Sequence, residues 1–356
     1  MGVQKYDKNF QTGKAKSIDD LQEYVIPNEK FSLYGVRYDY ESGCFCRIPN
    51  TIAKTVSEGV EYFAKNTAGG RLRFSTDSSV LILEVTYRVL ELMQHMPITG
   101  SGSFSLFEET DEGERFVVNF SPIPQEETGF TASVNLQGDK LRNYILYFPL
   151  YNDVKTLKIK LEKSAQVGKG KQYKAVKPIL YYGSSITQGG CASRPDTCYQ
   201  ALIAKRNNID YINMGFSGNA KAEIEMVDYL ASLECSLFVC DYDHNAPTAE
   251  YLQATHFRLY KTYRAKRPDV PILFITKPNI QTDIEGDLRW KIIRETYKKA
   301  KKFGDKNVYF LSGKSFFAGK DCSPFTVDCA HPTDYGFYKM AKVIYKKMGE
   351  IDKIFK

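Results

Sequence analysis

The chain has 356 residues, of which 43% are hydrophobic and 26% charged, a composition typical of soluble globular proteins and a length sufficient for two domains. The net charge of +7 is spread along the chain, and no apolar run reaches membrane-spanning length, which argues against a transmembrane protein. Because the first residues lack the apolar core of a signal peptide, the sequence predicts a cytoplasmic protein with no membrane partner.

Basic residues and cysteines give no sign of a further partner. Basic residues are densest in Lys163 to Lys177 and Lys298 to Lys302, without the interleaved motifs of recognition modules, so no nucleic-acid partner is predicted. The eight cysteines are expected to be reduced thiols in the core. Cys44 and Cys46 have no second pair at zinc spacing, and no two of the four histidines have the helical spacing of a metal site. The sequence therefore predicts neither a metal nor an organic cofactor.

The first half of the chain reads as β-structure. After a polar lead-in with a predicted short helix at Ile18 to Tyr24, short apolar or alternating runs are separated by turn signals, with a further helix predicted within Thr51 to Lys65. The predicted strands are Phe31 to Tyr38, Gly43 to Ile48, Arg71 to Ser75, Val80 to Val85, Gly102 to Phe107, Arg115 to Asn119, Arg142 to Phe148 and Thr156 to Leu161. Such a series is typical of an antiparallel sandwich or jelly roll. The basic, glycine-containing stretch Ser164 to Gln172 predicts a boundary, so residues 1–172 form the predicted N-terminal β-sandwich domain.

Residues 173–356 show a different pattern, in which strands and helices alternate. The predicted strands are Ile179 to Gly183, Tyr211 to Phe216, Ser236 to Tyr242, Pro271 to Thr276 and Val308 to Leu311. The predicted helices are Thr197 to Arg206, Ala222 to Leu233, Ala249 to Tyr263, Leu288 to Lys302 and Asp334 to Met348. This alternation predicts an α/β domain with a parallel sheet covered on both faces.

The stretch around Ser185 draws attention because four apolar or aromatic residues are followed at once by Gly183-Ser184-Ser185. A serine there lies at the carboxyl edge of the sheet, where open α/β folds place their sites. Taken alone, the stretch favours a helix-capping serine in an ordinary βα turn, so partners elsewhere must decide whether it is a nucleophile.

The loops that follow other strands supply such partners. His331 can act as the base that a serine hydroxyl needs, and Asp328 can hold the other ring nitrogen of its imidazole. The backbone N–H groups of Ser185 and Gly218, with the side-chain amide of Asn245, can serve as an oxyanion hole.

At these residues the chain resembles the SGNH family of GDSL-type hydrolases. Gly183-Ser184-Ser185-Ile186 is similar to the Gly-Asp-Ser-Leu block, Ser217-Gly218-Asn219 to the glycine block, and Asp328 to His331 to the Asp-x-x-His block. Asp243-His244-Asn245-Ala246 departs from the usual Gly-x-Asn-Asp, although Asn245 is retained. The resemblance implies a flavodoxin-like α/β/α catalytic domain.

A narrower resemblance concerns the subgroup whose catalytic domain follows an N-terminal β-sandwich. The segment Tyr182 to Pro195 is similar to that subgroup, and Met96 to Phe107 more loosely so.

Several other residues near these blocks have two interpretations. Arg194, His244 and Trp290 are considered as substrate-binding residues, but a salt bridge, a structural histidine and a helix-packing tryptophan are the respective alternatives. The loop Asn279 to Arg289 is considered as a lid. His95 and His256 are interpreted as structural.

The sequence thus predicts a serine esterase that removes a short acyl group, foremost acetyl, from a carbohydrate or other small hydroxylated compound. An acyltransferase with the same triad is the first alternative, and a non-catalytic carbohydrate-binding protein is the second. The expected partner is a small-molecule or oligosaccharide ester, and a homo-oligomer stays open.

Overall fold

The computed structural model describes residues 20–122, 128–174, 176–278, 285–317 and 323–351. In these ranges an antiparallel β region extends to about residue 170, and a parallel sheet with flanking helices follows it. This arrangement confirms the predicted fold class. Among the helices within these ranges, none is both long and apolar enough to span a bilayer.

The N-terminal β region contains two main sheets. Its strands are β1 (Leu21–Ile26), β2 (Ser32–Tyr34), β3 (Arg37–Asp39), β4 (Cys44–Cys46), β5 (Arg71–Thr76), β6 (Val80–Tyr87), β7 (Phe104–Thr110), β8 (Gly113–Phe120), β9 (Gly129–Asn135), β10 (Arg142–Tyr147), β11 (Val154–Glu162) and β12 (Val167–Gly168). One sheet has the order β1-β11-β6-β9, and the other β12-β5-β10-β7-β8 with β2 also paired to β5. Residues of β6 and β11 alternate between buried and half-buried, because one face of their sheet covers the core that both sheets share.

Two short helices of the N-terminal half leave the sandwich and pack on the C-terminal half. They are α1 (Asn50–Val56) and α2 (Glu58–Ala64), and a third helix, α3 (Ile98–Ser101), follows β6. Ser57 has an extended backbone and its side chain accepts a hydrogen bond from the Val60 N–H, so the single helix predicted within Thr51 to Lys65 is divided in two. Ala53, Val60 and Ala64 are buried in the same core as one face of the parallel sheet.

The C-terminal sheet has five parallel strands, β13 (Ile179–Gly183), β14 (Tyr211–Gly215), β15 (Leu237–Asp241), β16 (Ile272–Ile275) and β17 (Val308–Leu311), in the order β14-β13-β15-β16-β17. The helices are α4 (Ser185–Gln188), α5 (Tyr199–Asn207), α6 (Ile224–Ser232), α7 (Ala249–Lys266), α8 (Gly286–Lys302) and α9 (Asp334–Met348). β13, β15 and β16 are buried throughout, as expected for strands covered on both faces. The strand order is that of flavodoxin-like sheets, and its direction reverses between β13 and β15, where such folds place their sites.

Several local predictions were wrong. Leu21–Ile26 is a strand paired with β11, so the helix predicted at Ile18 to Tyr24 does not form over its described part, and residues 18 and 19 lie outside the described ranges. The apolar spacing of Leu21, Tyr24 and Val25 fits a helix, but pairing with Leu157 to Glu162 satisfies the backbone as a sheet edge. Strands β9 and β12 also form without having been predicted. Most of the proposed lid lies in residues 279–284, outside the described ranges.

Candidate active site

The turn after β13 presents Ser185 at the carboxyl edge of the parallel sheet. Ser184 is the residue that caps α4, since its hydroxyl accepts a hydrogen bond from the Ile186 N–H at 3.2 Å. The capping role considered for Ser185 therefore belongs to its neighbour, and the Ser185 side chain is available for other contacts. A Cβ at Gly183 would lie 1.5 Å from Oδ1 of Asp241 and 2.4 Å from Oγ1 of Thr187, so the glycine leaves room for these two side chains.

Ser185, His331 and Asp328 form one continuous chain of hydrogen bonds. The distance from Ser185 Oγ to His331 Nε2 is 2.8 Å, and the distance from His331 Nδ1 to Asp328 Oδ2 is 2.7 Å. Asp328 Oδ1 also accepts the backbone N–H of His331 at 2.7 Å, which fixes the carboxylate against the turn. This is the geometry in which a serine hydroxyl can pass its proton to an imidazole that a carboxylate orients.

Asp328 is held in its ionised form. Partial burial acts to raise the pKa of Asp328, but hydrogen bonds from the backbone and ring of His331 and from the Ala330 N–H outweigh this effect and lower the pKa to about 2. Its side chain is 39% exposed and that of His331 is 24% exposed, so solvent reaches both members of this pair. A permanent negative charge at this position favours a protonated His331 during the reaction.

Three candidate oxyanion donors border the cleft that Ser185 lines. Gly218 has a φ of +67°, a backbone conformation that glycine adopts without strain. Asn245 Nδ2 donates to Phe216 O at 2.7 Å, which leaves the second amide hydrogen for another acceptor. Among the described residues, the N–H groups of Ser185 and Gly218 have no hydrogen-bond acceptor. All three residues border one cleft.

This cleft has a volume of about 310 Å³. It is lined by Ser185, Ile186, Ser217, Gly218, His244, Asn245, Ala330 and His331. The apolar side chains in this set are those of Ile186 and Ala330, so the cleft offers space for a small acyl group. Larger grooves of about 690 and 670 Å³ follow the β7–β8 hairpin, but their lining is mostly charged and does not include Ser185 or His331.

His244 lies in the wall of the cleft as a neutral imidazole. The pKa of His244 is lowered to about 3, mainly by burial and further by the positive charges of Lys277, His331 and Arg289. Its Nε2 has no hydrogen-bond partner among the described residues. A neutral ring next to His331 avoids charge repulsion when His331 accepts a proton.

Residues of the N-terminal half hold the segment that carries Ser185. The Tyr151 hydroxyl donates to Ser185 O at 3.2 Å. The side chain of Gln188, on α4, donates to Asn66 Oδ1 at 3.0 Å and accepts the Ser217 N–H at 3.0 Å. One buried amide therefore connects the N-terminal half, helix α4 and the loop of Gly218. Sequence reasoning missed these residues, since they stand outside the four blocks.

His95 also lies at the site. The sequence led to its interpretation as structural, but its side chain is exposed and its ring centroid is 5.7 Å from that of His331. No motif marks it, because it belongs to a loop of the N-terminal half that meets the loop of His331 only in the folded chain. His256, by contrast, is buried beside Tyr242 and Phe274, as a structural histidine would be.

Arg194 and Trp290 lie elsewhere. Arg194 forms an ion pair with Asp196 at 2.9 Å, and its guanidinium lies over the ring of Phe116. Trp290 on α8 donates to Ser312 Oγ at 2.9 Å and packs against Phe310. Neither residue belongs to the described lining of the cleft, and these contacts match the salt bridge and the helix-packing tryptophan considered as alternatives.

Comparison with protein families gives matches over both halves of the chain. Residues 176–349 match the GDSL-like lipase/acylhydrolase family. Residues 23–167 match the N-terminus of SGNH-hydrolase-type esterases. A search of the curated proteins finds no match.

Solved structures with the same architecture cover nearly the whole chain. A structure described as a GDSL-like lipase from Bacteroides ovatus is 26% identical, with a TM-score of 0.83 over 93% of this chain and 98% of its own. A salicylyl-acyltransferase from a tetracycline biosynthetic pathway is 16% identical, with a TM-score of 0.78 over 94% of this chain and 98% of its own. An acetyl xylan esterase from the rumen bacterium Butyrivibrio proteoclasticus is 14% identical, with a TM-score of 0.61 over 93% of this chain and 98% of its own.

The family matches, the five-stranded parallel sheet and the preceding antiparallel β region agree with one another. The C-terminal half of the chain therefore matches the GDSL-like lipase/acylhydrolase family of serine ester hydrolases, and the N-terminal half matches the domain with which SGNH-hydrolase-type esterases begin.

Proposed function

We propose that this protein is a serine esterase that removes short acyl groups, foremost acetyl, from a carbohydrate or another small hydroxylated compound. The observation that carries this proposal is the hydrogen-bonded chain from Ser185 through His331 to Asp328, which opens into the cleft of about 310 Å³. The nucleophile is Ser185, the base is His331, and Asp328 orients the base.

Acylation begins when Ser185 Oγ attacks the carbonyl carbon of the bound ester. His331 Nε2 takes the hydroxyl proton as the new C–O bond forms, and the ionised Asp328 stabilises the resulting imidazolium. The negative charge on the carbonyl oxygen is met by the Ser185 and Gly218 N–H groups and the Asn245 amide. His331 then gives its proton to the leaving alcohol oxygen, the ester C–O bond breaks, and the acyl group stays on Ser185.

Deacylation repeats the same steps with water as the nucleophile. His331 takes a proton from water, the hydroxide oxygen bonds to the acyl carbon, and the proton returns to Ser185 Oγ as free acid leaves. The exposed position of Asp328 and the partial exposure of His331 give water direct access to the base. This exposure favours hydrolysis over transfer to another acceptor, because a transferase must exclude water from the acyl-enzyme.

The substrate class is supported by the shape of the cleft and by structural neighbours. The cleft is short and bordered by few apolar side chains, which suits an acetyl group better than a long acyl chain. Neighbours include a family two carbohydrate esterase from Clostridium thermocellum in complex with cellohexaose, with a TM-score of 0.58. Of the three residues predicted to bind substrate, His244 lines the cleft and we propose that it contacts the substrate. We propose no binding role for Arg194 and Trp290.

Two measurements test the reaction. Ser185→Ala is expected to abolish hydrolysis of 4-nitrophenyl acetate and labelling by a fluorophosphonate probe, whereas Ser184→Ala loses a helix cap but keeps the nucleophile and most of its activity. Full activity of the Ser185→Ala protein would overturn the proposal. Absence of fluorophosphonate labelling in well-folded wild-type protein would favour the alternative of a non-catalytic carbohydrate-binding protein.

Product analysis separates the esterase from the acyltransferase. Acetylated oligosaccharides are incubated with the enzyme in the presence of an added alcohol acceptor, and the products are followed by mass spectrometry. Exclusive release of free acid supports hydrolysis, and accumulation of the acylated acceptor supports transfer.

The division of the chain at residues 172 and 173, the cytoplasmic location and the homo-oligomer stay predictions.

A further inference from the structure

Three metal-ligand side chains from distant parts of the chain meet at the edge of the active site. The ligand atoms of His95, Cys191 and His331 all lie within 4.8 Å of one another. Imidazole nitrogen and thiolate sulfur are the ligands that zinc prefers in proteins. No sequence pattern indicates this group, since its members are separated by 96 and 140 residues and the chain contains no zinc-spaced motif.

Contacts of their loops bring the three residues together. The Cys191 N–H donates to Pro332 O at 3.3 Å, so Cys191 is attached to the segment next to His331. On the other side, a Cβ at Gly100 would lie 2.0 Å from Ala192 O, which shows that α3 packs tightly against the residue after Cys191. Met96, next to His95, is buried in the core that contains Cys191. The group is therefore a product of how the two halves pack.

We propose that His95, Cys191 and His331 form an inhibitory site for a zinc ion, which switches off the esterase reversibly. In a tetrahedral zinc site, Zn–N bonds of about 2.1 Å and Zn–S bonds of about 2.3 Å place ligand atoms roughly 3.3 to 3.8 Å apart. A movement of about 1 Å of the exposed His95 loop brings the three ligand atoms to this spacing. Water or a substrate oxygen takes the fourth position.

Inhibition follows from the chemistry of His331. Its Nε2 is hydrogen-bonded to Ser185 Oγ, and its Nδ1 is hydrogen-bonded to Asp328 Oδ2. A zinc ion that binds Nε2 takes the lone pair that must accept the serine proton, and one that binds Nδ1 displaces the carboxylate. Either mode removes the general base without altering the covalent structure, so a chelator restores activity.

The activity readout rests on the proposed function, so binding is measured separately. Tag-free full-length protein is titrated with Co²⁺, and thiolate-to-cobalt charge-transfer absorption reports ligation by a cysteine. Parallel assays measure hydrolysis of 4-nitrophenyl acetate against Zn²⁺ concentration, before and after addition of EDTA. The variants are His95→Ala, which changes an exposed side chain, and Cys191→Ser, with Cys198→Ser as a control at a buried cysteine that is not a member of the group.

The wild type and Cys198→Ser are expected to show the absorption band and zinc inhibition that EDTA reverses. His95→Ala is expected to retain basal hydrolysis but to need at least about tenfold more Zn²⁺ for half inhibition, and Cys191→Ser is expected to lose the band. An absent band in the wild type, or equal zinc sensitivity of wild type and His95→Ala, overturns the site. Failure of the wild type to hydrolyse the ester while the band forms overturns the proposed function and leaves the metal site standing.

Discussion

The guanidinium of Arg47 lies 4.6 Å from the ring centroid of Phe216, at the end of β14 that leads into the oxyanion loop. Arg47 comes from the N-terminal half and is 4% exposed. It donates to the backbone carbonyls of Phe63, Asn66, Asn213 and Gly215. In the part of the chain that the structure describes, no carboxylate forms an ion pair with it. Its hydrogen bonds therefore hold these backbone carbonyls in place. The Phe216 carbonyl oxygen in turn accepts a hydrogen bond from the Asn245 amide.

Arg47→Met is expected to lower the free energy of unfolding by about 3 kcal/mol or more, because several buried carbonyls lose their donor. We also expect kcat to fall by about 10- to 100-fold, since displacement of Phe216 moves Asn245 and Gly218 away from the developing oxyanion. The measurements are urea unfolding and kcat on 4-nitrophenyl acetate at a temperature where the variant is folded.

Arg71→Met provides a matched control for this substitution. Arg71 is also a buried arginine of the N-terminal half that braces β14, but it donates to Tyr211 O and Asp210 at the opposite end of the strand from the site. Arg71→Met is expected to lower the free energy of unfolding and to leave kcat unchanged. Equal effects of the two substitutions on kcat would contradict a positioning role for Arg47.

Asp328→Asn tests the orientation of the catalytic base. The amide cannot stabilise an imidazolium at His331, so kcat is expected to fall by about 10² to 10⁴-fold with little change in KM. The control is Asp334→Asn, which alters the next carboxylate in the chain; Asp334 accepts hydrogen bonds from Ser193 and Thr197 but not from His331. If steady-state assays give the two variants the same kcat, the role assigned to Asp328 is wrong.

The residues that we propose to do chemistry could be predicted from the sequence, because each stands in a loop that follows a strand. Ser185, Gly218, Asn245 and His331 lie in loops at the carboxyl edge of one parallel sheet, and an alternating strand and helix pattern is enough to predict that such loops meet. The residues that support them could not be found in this way. Arg47 and Tyr151 reach the site from loops of the sandwich, and their placement depends on how the two halves pack, which local patterns do not encode.

The same limit explains the errors in the fold. The apolar spacing in Leu21–Ile26 suits a helix, and only its pairing with β11 makes it a strand. Helices α1 and α2 were predicted as part of the sandwich half, but their buried side chains complete a core under the parallel sheet. Long-range pairing and packing decide these elements, whereas the buried strands of the parallel sheet are already evident in their apolar runs.

Asn245→Ala tests the oxyanion hole. Loss of one preorganised donor is expected to lower kcat by about 10² to 10³-fold while KM changes little, because the donor is aimed at charge that develops only in the transition state. Asn219→Ala is the control, since its amide donates to Ser217 O on the same loop but does not line the cleft. A KM increase at constant kcat for Asn245→Ala would show that the amide binds the ground state instead.

Asp241 gives a prediction for stability against pH. It lies at the end of β15 and accepts the Thr187 hydroxyl at 2.5 Å. The pKa of Asp241 is raised from an ordinary value of 3.8 to about 8, mainly by burial and further by the negative charge of Asp243. Between these values the folded carboxyl is protonated while the unfolded one is ionised, so folding takes up a proton. Its contribution to stability is complete below about pH 4 and is lost as the pH rises through about 8.

Asp241→Asn removes this proton uptake while keeping the size of the side chain. We therefore compare the free energy of unfolding of the variant with that of the wild type at pH 5 and at pH 8. The difference, variant minus wild type, is expected to be larger at pH 8, as measured by urea unfolding at both values. Asp328→Asn serves as the comparison, because a pKa lowered to about 2 leaves Asp328 ionised in both states at pH 5 and pH 8, and the cost of that substitution should not change between them. A difference between wild type and Asp241→Asn that stays constant or shrinks with pH would mean that Asp241 is ionised in the folded protein, with its charge held by the donors around it.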